Sequence, residues 1–295
     1  MNRILQLLLI INLAALSACR TNPPAQAEAP KAIEKGDLAS YFHYEPGRET
    51  LISAHRGGKG LAGYPENCLE TMQHVQQQIP NAIFEVDIAQ TSDGVLVLMH
   101  DNSLERTTTG SGPIVDRTFA DLQGLYLEDD EGQQTSFRIP TLEKVLQWAD
   151  DKQVILMLDI KRSVDYEDVL AYVEEADALD NSVIITYSVG AAQKLHRLNS
   201  ELMLSVSIRN FDELKRMEES GIPEDRWVAF TGTKASPPAL FAALHEKGVM
   251  CILGSLGNID RQAKARGPKV YQDFVAQGID IFATDRPLAC YEAVK

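Results

Sequence analysis

Two periodicities alternate along most of the chain. From Leu51 onward, short runs rich in β-branched and apolar residues are followed by longer segments whose apolar residues recur at helical spacing. This alternation is typical of βαβ units around a parallel sheet. Nine strands are predicted, over residues 51–55, 83–88, 95–100, 154–160, 183–187, 203–208, 227–231, 249–253 and 279–284. Helices are predicted over residues 68–78, 141–150, 166–178, 190–198, 211–220, 238–247 and 270–277.

The second and third predicted strands stand apart from the rest. Residues 89–94 are too few for the crossover that joins parallel neighbours, so these strands must form an antiparallel hairpin. Asp93 and Gly94 favour a two-residue type I′ turn. Symmetric pairing around that turn places Asp87 opposite His100.

Without the returning hairpin arm, eight parallel strands remain. Eight strands alternating with helices predict a TIM-type (β/α)8 barrel, which takes about 250 residues. The alternative, an open doubly wound sheet, is not supported by any GxGxxG turn. We therefore expect one α/β barrel domain over residues 38–295. A small insertion or lid is expected over about residues 102–140, which have weak periodicity and many turn formers.

The first nineteen residues have the layout of a secretory signal. Arg3 precedes an apolar run over residues 4–16, and small residues follow it. Residues 16–19 resemble the lipobox of bacterial lipoproteins. We therefore expect a signal peptide over residues 1–18 and a lipid on Cys19. An ordinary signal peptide and an uncleaved anchor are the alternatives.

The segment after the expected cleavage site lacks apolar periodicity. Residues 19–37 are rich in Pro, Ala and charged residues, which predicts a flexible tether between the lipid on Cys19 and the barrel. Anchoring to a membrane of the cell envelope follows from this prediction. Arg20 after the lipobox favours the bacterial outer membrane.

Composition restricts the partners of the chain. It has 28 basic and 42 acidic residues, a formal charge of −14. Such a surface repels a phosphate backbone, so nucleic acid is not expected as a partner. The acidic excess is either ordinary surface charge or is partly gathered around a cation.

Polar residues stand at or near the carboxyl ends of neighbouring predicted strands, where barrel enzymes place their sites. They are His55, Arg56, Glu85, Asp87, His100, Asp159 and Lys161.

Three of these residues are candidate metal ligands. Glu85 and Asp87 are two apart and so face the same side of a strand, and Asp159 would add a carboxylate from the adjacent barrel strand. Three carboxylates in one cleft repel one another unless a cation lies among them, and oxygen ligands suit Ca²⁺ or Mg²⁺ better than zinc. The alternative is a solvated strand face with structural acids.

The cationic residues and the histidines can have either a structural or a functional role. Arg56 and Lys161 are either surface cations or, converging with the carboxylates, a clamp for a phosphoryl group. His55 and His100 are either core residues or an acid and a base, because the pKa of histidine lies near neutrality.

Several motifs together point to one family. The stretch HRGGKGLAGYPENCLETM begins at His55, FEVDIAQTSDGVLVLMHDNSLERTTTGSG begins at Phe84, and IPTLEKVL, LDIK and ATDRP come later. In this order the motifs resemble those of the glycerophosphodiester phosphodiesterase family. The resemblance implies a TIM-type barrel with a small insertion, a Ca²⁺ or Mg²⁺ ion, and a small-molecule phosphodiester substrate that yields an alcohol and sn-glycerol 3-phosphate.

The same resemblance implies roles for individual residues. His55 and His100 would be the acid and base, in an order that the sequence leaves open. Arg56 and Lys161 would hold the phosphoryl group. By resemblance to the family, the glycerol 2-hydroxyl would attack first, giving a cyclic phosphate that water opens.

The acidic positions follow the family with one departure. The resemblance implies Glu85, Asp87 and Asp159 as metal ligands, with Glu66 orienting the residues around them. The family usually has Glu at the position of Asp159, so the third ligand is one methylene shorter here.

Other departures bear on the choice of substrate. Residues 252–258 replace a segment that contributes to the pocket wall in the family, and residues 259–270 are expected to form an extra loop at the same rim. A lysophospholipid, a surface glycan or a polymer phosphodiester is therefore an alternative substrate. A lipid-anchored binding protein without activity is the alternative from another functional class.

Overall fold

The computed structural model describes residues 38–295. The predicted signal peptide, the lipidated Cys19 and the tether lie outside the described residues. Within the described part, no helix combines the length and apolar character that crossing a membrane requires.

The described strands form a single sheet that closes on itself. Strand β1 pairs in parallel with both β2 and β9, and β3 alone runs antiparallel, beside β2. The closed part is therefore an eight-stranded parallel barrel. The strands are β1 (Leu51–Ala54), β2 (Ile83–Gln90), β3 (Leu96–Leu98), β4 (Leu156–Ile160), β5 (Ser182–Thr186), β6 (Met203–Ser207), β7 (Trp227–Phe230), β8 (Cys251–Gly254) and β9 (Ile281–Thr284).

Most helices lie between successive parallel strands, while the first precedes β1 and the last follows β9. The helices are α1 (Leu38–Tyr41), α2 (Leu69–Gln78), α3 (Phe119–Gln123), α4 (Leu142–Lys152), α5 (Tyr166–Glu175), α6 (Val189–Leu198), α7 (Phe211–Glu218), α8 (Pro238–His245), α9 (Asn258–Arg266), α10 (Lys269–Val275) and α11 (Pro287–Val294).

The prediction of an extra loop over residues 259–270 is wrong. Helix α9 occupies most of that segment, and Ile259 and Ala263, four residues apart, bury one face of it. Two apolar residues among many polar ones are a weak helical pattern. Helix α11 is not among the helices predicted from the sequence; its buried residues pack it against the barrel.

Two apolar layers hold the barrel together. Alternate strand residues point inward, where Ile83, Met157 and Ile281 belong to one buried cluster, while the residues between them pack against the helices. Phe42, after α1, joins the inner cluster and closes the amino-terminal end of the barrel. The carboxyl-terminal end is left as the mouth, where a site can form.

The hairpin of β2 and β3 has a different register from the predicted one. Ile88 pairs with Leu98, so Asp87 lies opposite Met99 rather than His100. The cause is the turn: the Thr91 N–H donates to the Val95 carbonyl, which leaves a three-residue loop. Within that loop Gly94 takes a positive φ of 83°, whereas a type I′ turn requires two positive values.

The segment over residues 102–140 forms a small unit beside this hairpin. Leu104, Ile114 and Leu127 share a buried cluster with Val97 and Met99 of the hairpin arm. The insertion is thereby packed against the arm and lies at one side of the barrel mouth.

Candidate functional site

Three carboxylates converge at the mouth of the barrel. Glu85 and Asp87 continue the inward face of β2 above the buried Ile83, and Asp87 is in register with Asp159 on β4. One carboxylate oxygen from each residue lies within 4.8 Å of the others. Glu85 is 8% exposed and Asp87 is 1% exposed. The predicted metal ligands are thus brought together.

The electrostatics of this cluster favour a bound cation. Burial and the charge of Asp87 raise the pKa of Glu85 to about 7. Burial also raises the pKa of Asp159, against the hydrogen bond that Tyr187 donates to it. Both shifts mean that the buried negative charges lack sufficient positive charge nearby. A set of hard oxygen donors with this deficit fits a divalent cation such as Ca²⁺ or Mg²⁺.

Asp87 is held by its neighbours. The Lys161 ammonium donates to Asp87 Oδ1 at 2.7 Å, and the Asn67 amide donates to Oδ2 at 2.8 Å. The side-chain amide oxygen of Asn67, Oδ1, accepts from the Asp87 backbone N–H at 3.0 Å. Lys161 therefore lies at the carboxylate cluster, where a phosphoryl group bound there would meet it.

His55 follows β1 and points into the mouth. Its Nδ1 lies 2.6 Å from Asp285 Oδ1, and its Nε2 lies 3.9 Å from Glu85 Oε2. Because a carboxylate can only accept, Nδ1 carries the hydrogen and Nε2 faces the cluster. Burial alone would lower the pKa of His55, but the hydrogen bond to Asp285 and the charge of Glu85 raise it.

His100 follows the hairpin arm and has a matching partner. Its Nδ1 lies 2.6 Å from Asp101 Oδ1. Arg106 donates to the same carboxylate from Nε, at 2.6 Å, and this hydrogen bond holds the pKa of Asp101 well below its usual range. Each predicted catalytic histidine is therefore held through Nδ1 by an aspartate, which leaves its Nε2 for chemistry.

Glu66 is buried next to the site and accepts hydrogen bonds from three cationic side chains. It is 4% exposed and accepts from Arg56 at 2.9 Å, from Lys59 at 2.9 Å and from Arg106 at 2.6 Å. Although burial opposes it, these hydrogen bonds and charges lower the pKa of Glu66 to about 2. Arg56, with a left-handed φ of 53°, also donates its backbone N–H to Glu85 at 2.7 Å. Glu66 thus connects Arg56 with Arg106 of the insertion.

Replacing Glu66 by glutamine is expected to lower the free energy of unfolding by about 3 kcal/mol at pH 7, because the lowered pKa reports that stabilisation. The contribution of Glu66 to stability is complete above pH 4.5, the ordinary pKa of a glutamate, and is lost as the pH falls towards 2. Urea unfolding at pH 7 and pH 3 measures the difference. Glu175→Gln, at an exposed position, is the control. If the free energy of unfolding that Glu66→Gln loses relative to wild type is the same at pH 3 as at pH 7, the ionised Glu66 does not supply this stability.

Several residues of the site were not identified from the sequence. Asp285 and Asn67 lie within the family motifs ATDRP and HRGGKGLAGYPENCLETM, so a signal for them is present in the sequence. Arg106 and Asp101 lie in the HDNSLERTTTG stretch, but nothing in their spacing indicates a shared contact with Glu66.

Two spaces lie next to the carboxylate cluster. A cavity of about 210 Å³ is lined by His55, Glu85 and Asp159, together with hydroxyl and apolar side chains of β1, of β4 to β9 and of the loops after them. A groove of about 750 Å³ is lined by His100 and Lys161, by the insertion and by residues after β4. The groove adjoins the cluster through Lys161, which lines it and donates to Asp87.

The chain is similar in sequence to proteins of one known family. A family model described as the glycerophosphoryl diester phosphodiesterase family matches residues 55–283. A glycerophosphodiester phosphodiesterase of Bacillus altitudinis is 26% identical over 245 residues, 81% of this chain and 95% of the relative. Glycerophosphodiester phosphodiesterase 1 of Mus musculus is 30% identical over 162 residues, 53% of this chain and 48% of the relative. The chain thus spans about half the length of the mammalian relatives it matches.

Solved structures confirm the predicted barrel fold. A glycerophosphoryl diester phosphodiesterase from Parabacteroides distasonis has a TM-score of 0.82 at 36% identity, covering 88% of this chain and 90% of its own. An Oleispira antarctica phosphodiesterase in complex with the product sn-glycerol-3-phosphate has a TM-score of 0.68 at 20% identity, covering 87% of this chain and 98% of its own. The family match covers most of the barrel, and the chain belongs to the glycerophosphoryl diester phosphodiesterase family.

Proposed function

We propose that this protein hydrolyses glycerophosphodiesters to an alcohol and sn-glycerol 3-phosphate. The observation that carries the proposal is the placement of two aspartate-held histidines around three converging carboxylates at the barrel mouth. Membership of the family and the product bound to the Oleispira antarctica phosphodiesterase support the choice of substrate class.

The carboxylate cluster is proposed as the binding site of a divalent cation, Ca²⁺ or Mg²⁺. Glu85, Asp87 and Asp159 would hold it. When bound, such an ion supplies positive charge that stabilises the non-bridging phosphoryl oxygens. Lys161, next to Asp87, would add a further positive charge on the same side of the substrate.

Arg56 is proposed to bind phosphoryl oxygens together with Lys161. Its guanidinium donates to Glu66, and its Nε makes no hydrogen bond within residues 38–295. Glu66 would therefore orient the guanidinium of Arg56 for contact with the substrate.

The histidines would move the protons of the reaction. Nε2 of one imidazole would take a proton from the attacking hydroxyl, and Nε2 of the other would give a proton to the oxygen of the leaving alcohol. Asp285 and Asp101 would keep each ring in the required tautomer and stabilise it when protonated.

Attachment to the cell envelope through a lipid on Cys19 is a further part of the proposal. Its support is the sequence pattern of residues 1–19 alone, which lie outside the described residues.

Release of sn-glycerol 3-phosphate from glycerophosphocholine by the full-length protein tests the proposed activity. With Ca²⁺ or Mg²⁺ present, we expect turnover at a rate typical of enzymes, about 1–10³ s⁻¹. Glycerol 2-phosphate, a monoester, is the control substrate and is expected to remain intact. If no glycerophosphodiester is cleaved with either metal while the protein is folded, the proposed activity is wrong.

A further inference from the structure

We propose that Arg162 makes the groove beside His100 selective for glycerophosphodiesters whose alcohol carries a negatively charged group. This inference rests on the proposed function and adds the chemical class of the alcohol. It depends on three observations: the two unequal spaces at the mouth, the pairing of the charges in the groove, and the position of Arg162 in that groove.

The two spaces differ in size and in charge. The cavity of about 210 Å³ is lined by Glu85 and Asp159, and its remaining lining is of hydroxyl, apolar and His55 side chains. Its small volume suits the three-carbon glycerol unit, whose hydroxyls can bond Ser205 and Ser207. The groove of about 750 Å³ is open and larger, so it suits the more variable alcohol.

Most charges in the groove are already paired. Lys161 donates to Asp87 at 2.7 Å. Asp101 contacts both His100 and Arg106, each at 2.6 Å. Among the described residues, Asp101 is the one acidic residue that lines the groove. Its contacts with His100 and Arg106 offset its negative charge.

Arg162 is the exception. It lines the groove and is exposed, and among the described residues it makes neither an ion pair nor a hydrogen bond. Its five N–H donors are therefore available to a ligand. A guanidinium binds a carboxylate or phosphate through two parallel hydrogen bonds and repels an ammonium group.

The charge of the whole protein makes this local cation important for an anionic substrate. At a formal charge of −14, the surface repels an alcohol that adds a second negative charge to the phosphodiester. A cation at the entrance lowers that repulsion where the alcohol binds. Alcohols with a quaternary ammonium group gain nothing from it.

Glycerophosphoserine and glycerophosphoethanolamine form a matched pair of substrates, because they differ by one carboxylate. The ratio of their kcat/KM values isolates the contribution of that group. We expect wild-type protein to favour glycerophosphoserine and Arg162→Gln to lower the ratio about two- to fivefold, the range for an exposed ion pair. Arg162→Glu is expected to lower it further, since it adds repulsion.

Arg197→Gln is the matched control. Arg197 is also exposed and without a partner among residues 38–295, but it lies in the last turn of α6, away from the groove lining. This variant is expected to leave the ratio unchanged. Equal ratios in wild type, Arg162→Gln and Arg162→Glu would overturn the inference while leaving the activity intact. Loss of cleavage of both substrates in wild-type protein would instead refute the proposed function.

Discussion

Replacing His55 or His100 by alanine is expected to lower kcat by about 10²- to 10⁴-fold, the range for removal of a general acid or base. Each ring is held through Nδ1 by an aspartate at 2.6 Å, which leaves its Nε2 for proton transfer. Neither ring is part of the buried apolar clusters, so the fold is expected to survive. Steady-state release of sn-glycerol 3-phosphate, with circular dichroism as a check of folding, measures the effect.

Two further sets of variants make this test specific. Asp285→Asn and Asp101→Asn keep the size of the side chain but remove the negative charge that orients each histidine. They are expected to lower kcat less than the alanine variants and to change KM little, because these aspartates position a proton-transfer group. His74→Ala, on α2 and stacked on Tyr64, is the control and should retain full activity. A His55→Ala protein with wild-type kcat would contradict the acid–base scheme.

Removing divalent metal with EDTA is expected to abolish activity, and adding Ca²⁺ or Mg²⁺ in excess is expected to restore it. The reason is the convergence of the Glu85, Asp87 and Asp159 carboxylates, whose oxygens lie within 4.8 Å of one another and form a set of hard donors for such an ion. The metal that restores activity at the lower concentration identifies the preferred ion.

Variants of the three carboxylates should differ in their effect on this metal dependence. Asp159 is the least buried of them, so Asp159→Ala is expected to raise the metal concentration for half-maximal activity before it lowers the maximal rate. Glu85→Gln removes a more buried ligand and is expected to lower the maximal rate as well. Asp273→Ala, an exposed position on α10, is the control. Full activity in EDTA would refute the proposed metal site.

The alternation of strands and helices was enough to predict the barrel. Its strands are buried on both faces, so each appears in the sequence as a nearly continuous apolar run followed by a helical pattern. The antiparallel direction of β3 followed from the short connection after β2. Its register could not be predicted, because the choice between a two- and a three-residue loop depends on backbone angles that Asp93-Gly94 allows in both cases.

The site was predictable where its residues lie on neighbouring strands. Glu85, Asp87 and Asp159 converge because adjacent parallel strands end at the same edge of the barrel. Asp285 lies in the ATDRP motif, but the sequence does not indicate that it pairs with His55. The contact joins residues 230 positions apart and arises because β9 returns to close the barrel against β1.

The sequence by itself determined the type and order of the elements and the identity of the groups that can do chemistry. These properties depend on local periodicity and on residue type, which are present in the chain before it folds. The tertiary structure alone decided how those groups are paired. Arg106 reaches both Glu66 and Asp101, and Lys161 reaches Asp87, because closure of the barrel and packing of the insertion bring distant segments within hydrogen-bond distance. The same packing left Arg162 without a partner among the described residues, and no pattern in the sequence distinguishes it from the paired cations.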